Sequence, residues 1–459
     1  MPQDAATIFA PATAPGAAAL AIVRVSGPAA LPIVADLCGR DVATLRHGQL
    51  RRASLRDATG AALDDAMVVV FHAPRSATGE DVAELHLHGS PAVVAAVCRA
   101  LSAAGAVPAG PGEFSRRAVL AGKMSLLQAE ATADLIDARA ESARQAALAA
   151  LDGRVAAAIA ALRSPLVEAL AEVEARLDFG LEDDVDTLDR SELARRAWQQ
   201  AAAMEALSAT ADAARLRLQG ARVVLFGPTN AGKSTLFNSL CGDDRALVHD
   251  APGTTRDVVE ARVLWGGLEV VLVDTAGVRE GAGPVEAAGI ARSYAALQAA
   301  DVVLWLRDAA QSRDPGTELV MVGDDAGPRS SMAPGASLLR VASRADLAPS
   351  AVVAGDVDLA VSAHVPSQVA ALRAAIEAQL ARRLGPDGGL VLLRERHAAA
   401  LRAAAEATLR AATALVDDLP LEFVAADLRD AAAALDELIG TVVADDVLDV
   451  VFARFCIGK

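Results

Sequence analysis

Lysine is scarce in this sequence. Only three of the 43 basic residues are lysines, Lys123, Lys233 and Lys459, and the other 40 are arginines. A lysine that persists in such a chain indicates a site that needs a compact ammonium on a thin stem and does not accept a planar guanidinium. Chance survival on a solvated surface is the alternative explanation.

Cysteines and long apolar runs are also few. The four cysteines are Cys38, Cys98, Cys241 and Cys456. Their scattered positions exclude a disulfide or cysteine-rich metal framework and favour a reducing, cytoplasmic location. The longest uncharged stretch, near residues 5–23, contains two prolines and a glycine and lacks a basic start. We therefore expect neither a signal peptide nor a membrane span.

Positive charge is in short supply, and the formal net charge is −16 at pH 7. A protein that holds nucleic acid through its overall charge is normally basic. Any RNA contact must therefore use a local basic patch or a partner protein. Arginines near 51–56 and 115–117 are candidates for RNA contacts, and a solvated surface is the simpler interpretation.

Hydrophobic periodicity divides the chain into four segments. Residues 1–121 mix strand-like and helical runs, as in an α+β domain, and residues 122–219 are helical in pattern. Residues 220–380 alternate strand-length apolar runs with helices, which is typical of a mostly parallel sheet. The helical pattern resumes over residues 381–459. We predict a multidomain α+β and α/β fold, with an α/β domain inserted into a split helical domain.

The individual elements follow from the same patterns. The predicted strands are Ala21–Val25, Met67–Phe71, Glu84–His88, 222–226, 268–274, 301–306, 337–342 and 357–361. A helix is predicted over Pro91–Ala104, and the acidic stretch 181–186 is predicted to be an exposed loop. Buried helix faces are predicted for the stripe Leu162, Leu166, Leu170, Val173 and Leu177 and for the stripe Leu448, Phe452 and Phe455.

The stretch GPTNAGKST, residues 227–235, matches a P-loop between a predicted strand and a predicted helix. Its glycines let the backbone N–H groups face a phosphate, and the helix N-terminus adds a positive dipole end. Lys233 would reach the outer phosphates as a catalytic cation, and Ser234 would bind Mg²⁺. The pattern predicts a nucleoside triphosphate site.

Two further motifs suit a GTPase switch. GTTRD, residues 253–257, supplies a second Mg²⁺ ligand, for which Thr255 is the better candidate. DTAG, residues 274–277, supplies Asp274 for the metal through water and the Gly277 N–H for the γ-phosphate. Order and spacing together are more specific than any single motif.

The base-reading segment is predicted at SRAD, residues 343–346, where many GTPases carry Asn-Lys-x-Asp. Asp346 can accept the two guanine N–H donors, whereas Ser343 is shorter than asparagine and Arg344 replaces lysine. We expect GTP to be preferred over ATP with weakened selectivity. The predicted GTP-binding residues are Asn230, Ala231, Gly232, Lys233, Ser234, Thr235, His249, Asp250, Ala251, Pro252, Gly253, Thr254, Thr255, Asp274, Thr275, Ala276, Gly277, Ser343, Arg344, Ala345, Asp346, Ser362, Ala363 and His364.

The chain resembles the MnmE (TrmE) family of bacterial tRNA modification GTPases. The motifs that carry the resemblance are the P-loop with Asn230, GTTRD, DTAGVRE (274–280), IVRVSG (22–27), TGEDVAELHLHG (78–89), PGEFSRRA (111–118) and the final FCIGK. The resemblance implies an N-terminal tetrahydrofolate-binding and dimerisation domain (1–121), a helical domain (122–219 and 381–459) and an inserted Ras-like P-loop G domain (220–380).

The family's reaction follows from the resemblance. It implies a homodimer that joins the flavoprotein MnmG (GidA) in a heterotetramer. The pair would add a carboxymethylaminomethyl or aminomethyl group to carbon 5 of the wobble uridine of certain tRNAs. The implied cofactors are GTP with Mg²⁺, K⁺ and tetrahydrofolate in its 5,10-methylene or 5-formyl form. A ribosome-assembly or signalling GTPase without one-carbon chemistry, or a scaffold with poor hydrolysis, are the alternatives.

Site residues are also implied by the resemblance. The implied K⁺ ligands are Asn230, His249, Ala251 and Thr254, and the implied folate contacts are Arg24, Glu84, Lys123 and Lys459. Glu286 matches the glutamate that orients the attacking water. His249 and Pro252 depart from the family's usual residues, which puts the affinity for K⁺ in question.

The functions of Cys456 and of the pair His86 and His88 can each be interpreted in two ways. Cys456 in FCIGK is either a catalytic thiol near the one-carbon unit or a packing residue. His86 and His88 share a strand face and could suggest a metal pair. With no third ligand in view, packing or a role beside folate is the preferred interpretation.

Overall fold

The structure is a computed structural model that describes residues 6–179, 188–242, 259–275, 284–309, 327–347, 357–385, 394–439, 448, 451–453, 455 and 458. The chain forms two compact units. The first unit comprises Met1–Ala133, Ala150–Met204 and Ala400–Lys459, and the second comprises Asp134–Ala149 and Glu205–Ala399.

The elements alternate between strands and helices in two parts of the chain. The first group is β1 (Ile8–Pro11), β2 (Leu20–Ser26), α1 (Ala30–Leu37), β3 (Arg51–Arg56), β4 (Ala62–Phe71), β5 (Val82–His88), α2 (Pro91–Ala103), β6 (Val107–Pro108) and α3 (Glu113–Leu120). The helices α4 (Leu126–Asp137), α5 (Glu141–Leu151), α6 (Arg154–Phe179), α7 (Arg190–Ser208) and α8 (Ala211–Gln219) follow.

The second group begins at the P-loop segment. It contains β7 (Ala221–Phe226), α9 (Lys233–Cys241), β8 (Val259–Trp265), β9 (Leu268–Asp274), α10 (Pro284–Gln298), β10 (Val302–Asp308), β11 (Ser337–Ser343), β12 (Leu359–Val361) and α11 (Pro366–Leu384). The helices α12 (Glu395–Val416) and α13 (Leu421–Ile439) complete the described elements.

The first unit contains a six-stranded sheet in the order β3-β4-β5-β2-β1-β6. The pairs are antiparallel except for the parallel pair of β1 and β6. Alternation along β2 turns Val23 and Val25 into the core, where they pack with Leu85 of β5. The same alternation leaves Arg24 on the opposite face, directly across from Glu84. The strands and the helix predicted for this segment are therefore confirmed.

Helices α6 and α13 of the first unit are joined by ion pairs. Arg163 contacts Asp436 at 2.6 Å, and Arg429 contacts Glu174 at 2.8 Å. The predicted stripe on α6 is buried at two positions, Leu166 and Val173, but Leu177 is 37% exposed. The buried face therefore ends before the last turn of α6. The predicted loop 181–186 lies outside the described residues.

The second unit contains a six-stranded sheet in the order β12-β11-β10-β7-β9-β8. All neighbours are parallel except β8 and β9. The five predicted strands of this segment are confirmed to within two residues, and β8 was not predicted. Since parallel strands end at the same edge, the carboxyl ends of β7, β9, β10 and β11 lie close together and position the site.

The carboxyl-terminal residues pack within the first unit. Leu448, Phe452 and Phe455 are buried, as their stripe predicted. They share a hydrophobic cluster with Leu126 and Ala129 of α4. The end of the chain is thus anchored by apolar contacts.

Membrane-spanning potential is limited to one pair of helices. Among the described residues, no single helix is both long and apolar enough to cross a membrane. The helices Glu141–Leu151 and Arg154–Asp178, bent by 48° at their junction, meet the length and composition test only together.

Candidate functional site

The P-loop connects β7 to α9 and requires glycine where it leaves the strand. Gly227 has a φ of 154°, and a Cβ on this residue would lie 2.5 Å from the carbonyl oxygen of Leu306 on β10. That oxygen belongs to the sheet backbone and cannot move aside cheaply. The loop can therefore follow this path only without a side chain at position 227.

Lys233, the first residue of α9, is held by the loop itself. Its Nζ donates to the carbonyl oxygens of Gly227 at 3.1 Å and Pro228 at 2.8 Å. The residue is 7% exposed, and burial lowers the pKa of its ammonium, while the nearby Asp274 acts in the opposite direction. Among the described residues, the hydrogen-bond acceptors of the ammonium are these two neutral carbonyl oxygens, so a phosphate would be a stronger partner for it.

Ser234 and Asp274 form the centre of the predicted Mg²⁺ site. The Ser234 hydroxyl donates to Asp274 Oδ2 at 2.6 Å across the edge of the sheet. Asp274 Oδ1 is buried and, within the described part of the chain, has no hydrogen-bond partner. Burial raises the pKa of Asp274, and Ser234 and Lys233 oppose that effect. A buried oxygen without a partner beside a hydroxyl fits a hard cation such as Mg²⁺.

Thr275 fixes the DTAG segment to the P-loop strand. Its hydroxyl is buried and donates to the carbonyl oxygen of Leu225 on β7 at 2.7 Å. Asp274 therefore ends β9 at a defined height beside the P-loop.

Several predicted site residues lie outside the described residues: His249, Asp250, Ala251, Pro252, Gly253, Thr254, Thr255, Ala276, Gly277, Cys456 and Lys459. Glu286 lies in α10, and its side chain is likewise outside the description.

A cleft of about 740 Å³ opens beside α9 and joins the P-loop to the predicted base-reading segments. It is lined by Asn230, Gly232, Lys233, Ser234, Thr235, Leu236, Ser343, Arg344, Asp346, Leu347, Val361, Ser362, Ala363 and His364. The structure thus brings together 11 of the residues predicted to bind GTP. Asn230 is exposed and has a φ of 64°, a left-handed conformation that asparagine tolerates.

Ser343 ties the base-reading segment to the P-loop. Its side chain is buried, and its Oγ lies 2.7 Å from the carbonyl oxygen of Ala231 and 3.0 Å from that of Arg307. One hydroxyl proton can serve only one of these acceptors at a time. The short serine therefore links two loops even though it replaces asparagine.

Arg344 is fixed by a partner that sequence reasoning missed. Its Nη1 donates to Asp308 Oδ2 at 2.9 Å, and the carboxylate of Asp308 is 3% exposed at the carboxyl end of β10. The Arg344 stem lies under the P-loop, since a Cβ on Gly232 would be 3.5 Å from Arg344 Cγ. The guanidinium is therefore held in place at the wall of the cleft. The buried acid at a strand end was the available signal.

Asp346 is exposed in the same cleft and is prepared to accept hydrogen bonds. A hydrogen bond from Ser362 holds the pKa of Asp346 below its ordinary value. Ser362 Oγ also accepts from the backbone N–H of His364 at 3.3 Å. The SRAD and SAH segments are thus connected through one hydroxyl.

Three of the predicted folate residues, Arg24, Glu84 and Lys123, are described, and the first two lie on the face of the first sheet opposite Val23 and Val25. Arg24 contacts Glu84 on the neighbouring strand at 2.9 Å, and its guanidinium lies 5.8 Å from the ring of Phe114. Lys123 is exposed and lies against the 78–81 loop, since its Cε would be 3.3 Å from a Cβ on Gly79. Arg24 and Glu84 therefore form one charged pair.

Arg117, one of the arginines considered as RNA contacts, supports this region from inside. It is 5% exposed and contacts Glu113 at 2.8 Å and Glu80 at 3.1 Å. Glu80 also accepts from the hydroxyl of Ser26 at the end of β2. These contacts join α3 to the 78–81 loop. Arg117 is therefore excluded as an RNA contact.

The end of the chain reaches the first sheet at β1. Gly458 has a φ of 99°, and a Cβ on it would lie 2.1 Å from the carbonyl oxygen of Pro11. Pro11 pairs with Val23, and the preceding Ala10 pairs with Arg24. Gly458 therefore lies one strand away from the Arg24–Glu84 pair.

His86 and His88 contact different carboxylates. His86 Nε2 lies 3.5 Å from Glu84 Oε2, and His88 Nδ1 lies 2.7 Å from Asp64 Oδ1. No group of three or more possible metal ligands occurs among the residues that the structure describes. These contacts favour packing and contact with separate carboxylates over a metal pair.

Comparison with known proteins covers both units. The family model described as the GTP-binding protein TrmE N-terminus matches residues 7–123, and the MnmE helical domain model matches residues 126–456. Three relatives are named tRNA modification GTPase MnmE. The protein from Methylorubrum populi is 47% identical over 100% of this chain and 99% of its own length. That from Myxococcus xanthus is 43% identical over 100% of both chains, and that from Thermus thermophilus is 42% identical over 98% and 99%.

These matches agree with the geometry of the P-loop, of Asp274 at the end of β9 and of the cleft beside α9. They show a GTP hydrolase with a TrmE N-terminal domain, a helical domain and an α/β P-loop domain. The chain belongs to the MnmE family of tRNA modification GTPases.

Proposed function

We propose that this chain is a potassium-dependent GTPase that modifies the wobble uridine of certain tRNAs together with the flavoprotein MnmG (GidA). The modification is a carboxymethylaminomethyl or aminomethyl group at carbon 5, and tetrahydrofolate supplies the one-carbon unit. The functional form is a homodimer that joins MnmG in a heterotetramer. Family membership supports this reaction, and the contacts within each unit suggest which residues perform it.

The groups proposed to bind GTP already lie close together at the P-loop. Lys233 exchanges its two carbonyl partners for the outer phosphates, which bind an ammonium more strongly. Ser234 and Thr255 would hold Mg²⁺, and Asp274, whose buried Oδ1 has no partner among the described residues, would contact the ion through water. When bound, Mg²⁺ would supply positive charge beside the phosphates. Glu286 orients the attacking water.

Guanine recognition depends on the segments that line the cleft. Asp346 accepts the two guanine N–H donors, and its lowered pKa keeps the carboxylate ionised. Arg344 offers its stem as a surface for the base, because Asp308 holds its guanidinium in place. Ser343 keeps this segment at a fixed distance from the P-loop.

Potassium dependence is proposed from Asn230, which stands at the open end of the P-loop. The ion would be held by Asn230, His249, Ala251 and Thr254, and it would supply positive charge beside the phosphates. The test compares GTP hydrolysis in KCl and in NaCl at equal ionic strength. A rate that rises with K⁺ supports the proposal. Equal rates would contradict it and would implicate His249.

The folate site is proposed on the first sheet. Arg24, Glu84 and Lys123 supply the charged contacts there, and Lys459 adds a compact cation from the tail. Residues 1–121 form the folate-binding and dimerisation domain, residues 122–219 and 381–459 the helical domain, and residues 220–380 the G domain. Cys456 is the proposed thiol beside the one-carbon unit.

One observation carries the proposal, namely the contact of Gly458 with Pro11. A GTPase that acts only as a switch in ribosome assembly or signalling requires neither a folate domain nor a tail directed at it. Here the last described residue lies one strand from Arg24. The position of Gly458 supports the proposal that the tail serves the folate site.

The proposed function is tested by mass spectrometry of nucleosides from the tRNA of cells that lack this chain. We expect wobble uridines without the substituent at carbon 5, and restoration of the substituent when the gene is returned. An unchanged nucleoside profile would overturn the proposed reaction while leaving the GTPase activity in place.

A further inference from the structure

Three arginines of the first unit surround one surface depression. Arg40, Arg46 and Arg51 line it together with Gln49, Cys38 and apolar residues. Arg40 and Arg46 are exposed, and Arg51 is half-buried. In the part of the chain that the structure describes, none of the three forms an ion pair with a carboxylate. The depression is therefore surrounded by uncompensated positive charge.

Two of these guanidiniums are held in place by neutral oxygens. Arg40 Nη2 donates to the backbone carbonyl of Arg52 at 3.0 Å, and Arg51 Nη2 donates to Gln49 Oε1 at 2.8 Å. A guanidinium has five N–H donors, so each keeps most of them for another acceptor. These hydrogen bonds position the Arg40 and Arg51 side chains, and no negative group offsets the charge of either guanidinium through them.

Nearby groups do not neutralise the depression. Burial raises the pKa of the Cys38 thiol to about 11, although Arg40 acts in the opposite direction, so the thiol stays neutral. Asp41, the acid next to Arg40 in sequence, accepts a hydrogen bond from the backbone N–H of Ala43, and among the described residues it forms no ion pair with Arg40. By contrast, Arg52 on the other face of β3 forms an ion pair with Asp65.

This pattern is unusual for a chain with 59 acidic residues and a net charge of −16. Such a chain repels nucleic acid over most of its surface, so RNA must be held at a local basic site. Guanidinium forks match the oxygen pairs of a phosphate, and arginine is favoured for that purpose. Because the chain is acidic overall, an acidic partner protein would be repelled over a large contact area. A polyanion that makes local contacts suits the charge of this chain better.

We propose that Arg40, Arg46 and Arg51 form a docking surface for the phosphate backbone of tRNA. This inference rests on the proposed function, because it takes tRNA as the substrate. The surface reads charge and shape and makes no base contact, so it serves every tRNA that the enzyme modifies. The competing explanation is that the arginines protect β3, which is an edge strand, from pairing with other chains.

The experiment measures binding of a fluorescein-labelled tRNA transcript with uridine at the wobble position. Fluorescence anisotropy is recorded with the full chain over a range of KCl concentrations. The variants are Arg46→Gln, Arg51→Gln and the double variant. Arg40 is kept because it bonds to the edge strand. Arg382→Gln is the matched control, since Arg382 is exposed on α11 and donates to the carbonyl oxygen of Ala378 on the same helix.

The expected result is a smaller salt dependence. Each lost phosphate contact lowers the slope of log K against log salt by about 0.7 to 0.9, so the double variant should lose about 1.4 to 1.8. At 0.15 M salt this corresponds to an affinity that is roughly 15- to 30-fold weaker. Arg382→Gln should retain the wild-type slope. Unchanged GTP hydrolysis and thermal unfolding would show that the variants are folded.

Three results would overturn the proposal. The double variant could keep the wild-type slope, Arg382→Gln could lose as much as the double variant, or the wild type could show no tRNA affinity. Edge protection predicts the first of these, with increased self-association of the variant. The nucleoside analysis described above tests the proposed function separately, so a failure of this surface is distinguishable from a failure of the reaction.

Discussion

Gly458→Ala is the most direct perturbation of the tail contact. A Cβ at this position would lie 2.1 Å from the carbonyl oxygen of Pro11 and 3.0 Å from its carbonyl carbon. Both atoms belong to the backbone of β1, which is paired on both sides by β2 and β6. The strand cannot move aside without breaking its own hydrogen bonds. The tail must therefore move away from β1.

The size of the effect follows from two contributions. The φ of 99° at Gly458 is strained for alanine and costs about 1 to 3 kcal/mol. The overlap with Pro11 adds to that strain, since non-bonded carbon and oxygen atoms do not approach to 2.1 Å. A total above about 1.4 kcal/mol reduces the docked tail population at least tenfold relative to the undocked one. We expect tRNA modification to slow accordingly.

The assay compares two activities of the same purified variant. Wobble-uridine modification is measured with MnmG by nucleoside mass spectrometry, and GTP hydrolysis is measured in KCl. Gly105→Ala is the matched control, because Gly105 has a φ of 93° and no atom within 4 Å of its added Cβ. The control therefore carries similar backbone strain without the overlap. We expect it to modify tRNA normally.

Two outcomes would contradict this role of the docked tail. If Gly458→Ala modified tRNA at the wild-type rate, the docked tail would have no part in the reaction. If it lost GTP hydrolysis to the same extent as modification, the tail would act on the G domain and not on the folate site.

The remaining predictions concern the GTP site. Glu286→Ala should bind GTP within about twofold of the wild type and hydrolyse it at least 100-fold more slowly, because the residue acts on the attacking water; a parallel loss of affinity in calorimetry would assign it a structural role. Ser343→Ala leaves the buried carbonyl of Ala231 without its partner, which costs about 1 kcal/mol, and calorimetry should show GDP binding about fivefold weaker with unchanged preference over adenine nucleotides. A changed preference would mean that Ser343 reads the base itself. Ser362→Ala should raise the pKa of Asp346, because the hydrogen bond that lowers it is lost, so the carboxylate should protonate at higher pH in a carbon-13 NMR titration. An unchanged titration would remove Ser362 as the cause.

Strands with a continuous apolar run were predictable, and two edge strands that alternate apolar with charged residues were not. The stretch 268–274 reads as a continuous apolar run, and β9 has those bounds because it lies inside its sheet. By contrast, β3 and β8 lie at sheet edges and alternate buried with exposed residues, several of them charged. A search for apolar runs misses such strands. Alternation over six or seven residues was the signal that could have found them.

The candidate site shows a similar division. The P-loop and its neighbours were predictable because their spacing within the sequence sets their geometry. The Arg344–Asp308 pair joins positions 36 residues apart, and no local pattern indicates that β10 and β11 end side by side. The contact between Gly458 and Pro11 spans almost the whole chain. Such pairs are fixed by the order of strands and by packing, which the sequence does not display directly.

We propose that the tail brings a reactive thiol to the folate site while the G domain hydrolyses GTP independently. The measurement that tests it most directly is nucleoside mass spectrometry of tRNA from cells in which this chain carries Cys456→Ser, together with GTP hydrolysis by the purified variant. We predict potassium-stimulated hydrolysis at the wild-type rate and no substituent at carbon 5 of the wobble uridine. Full modification by the serine variant would contradict the claim and leave Cys456 as a packing residue.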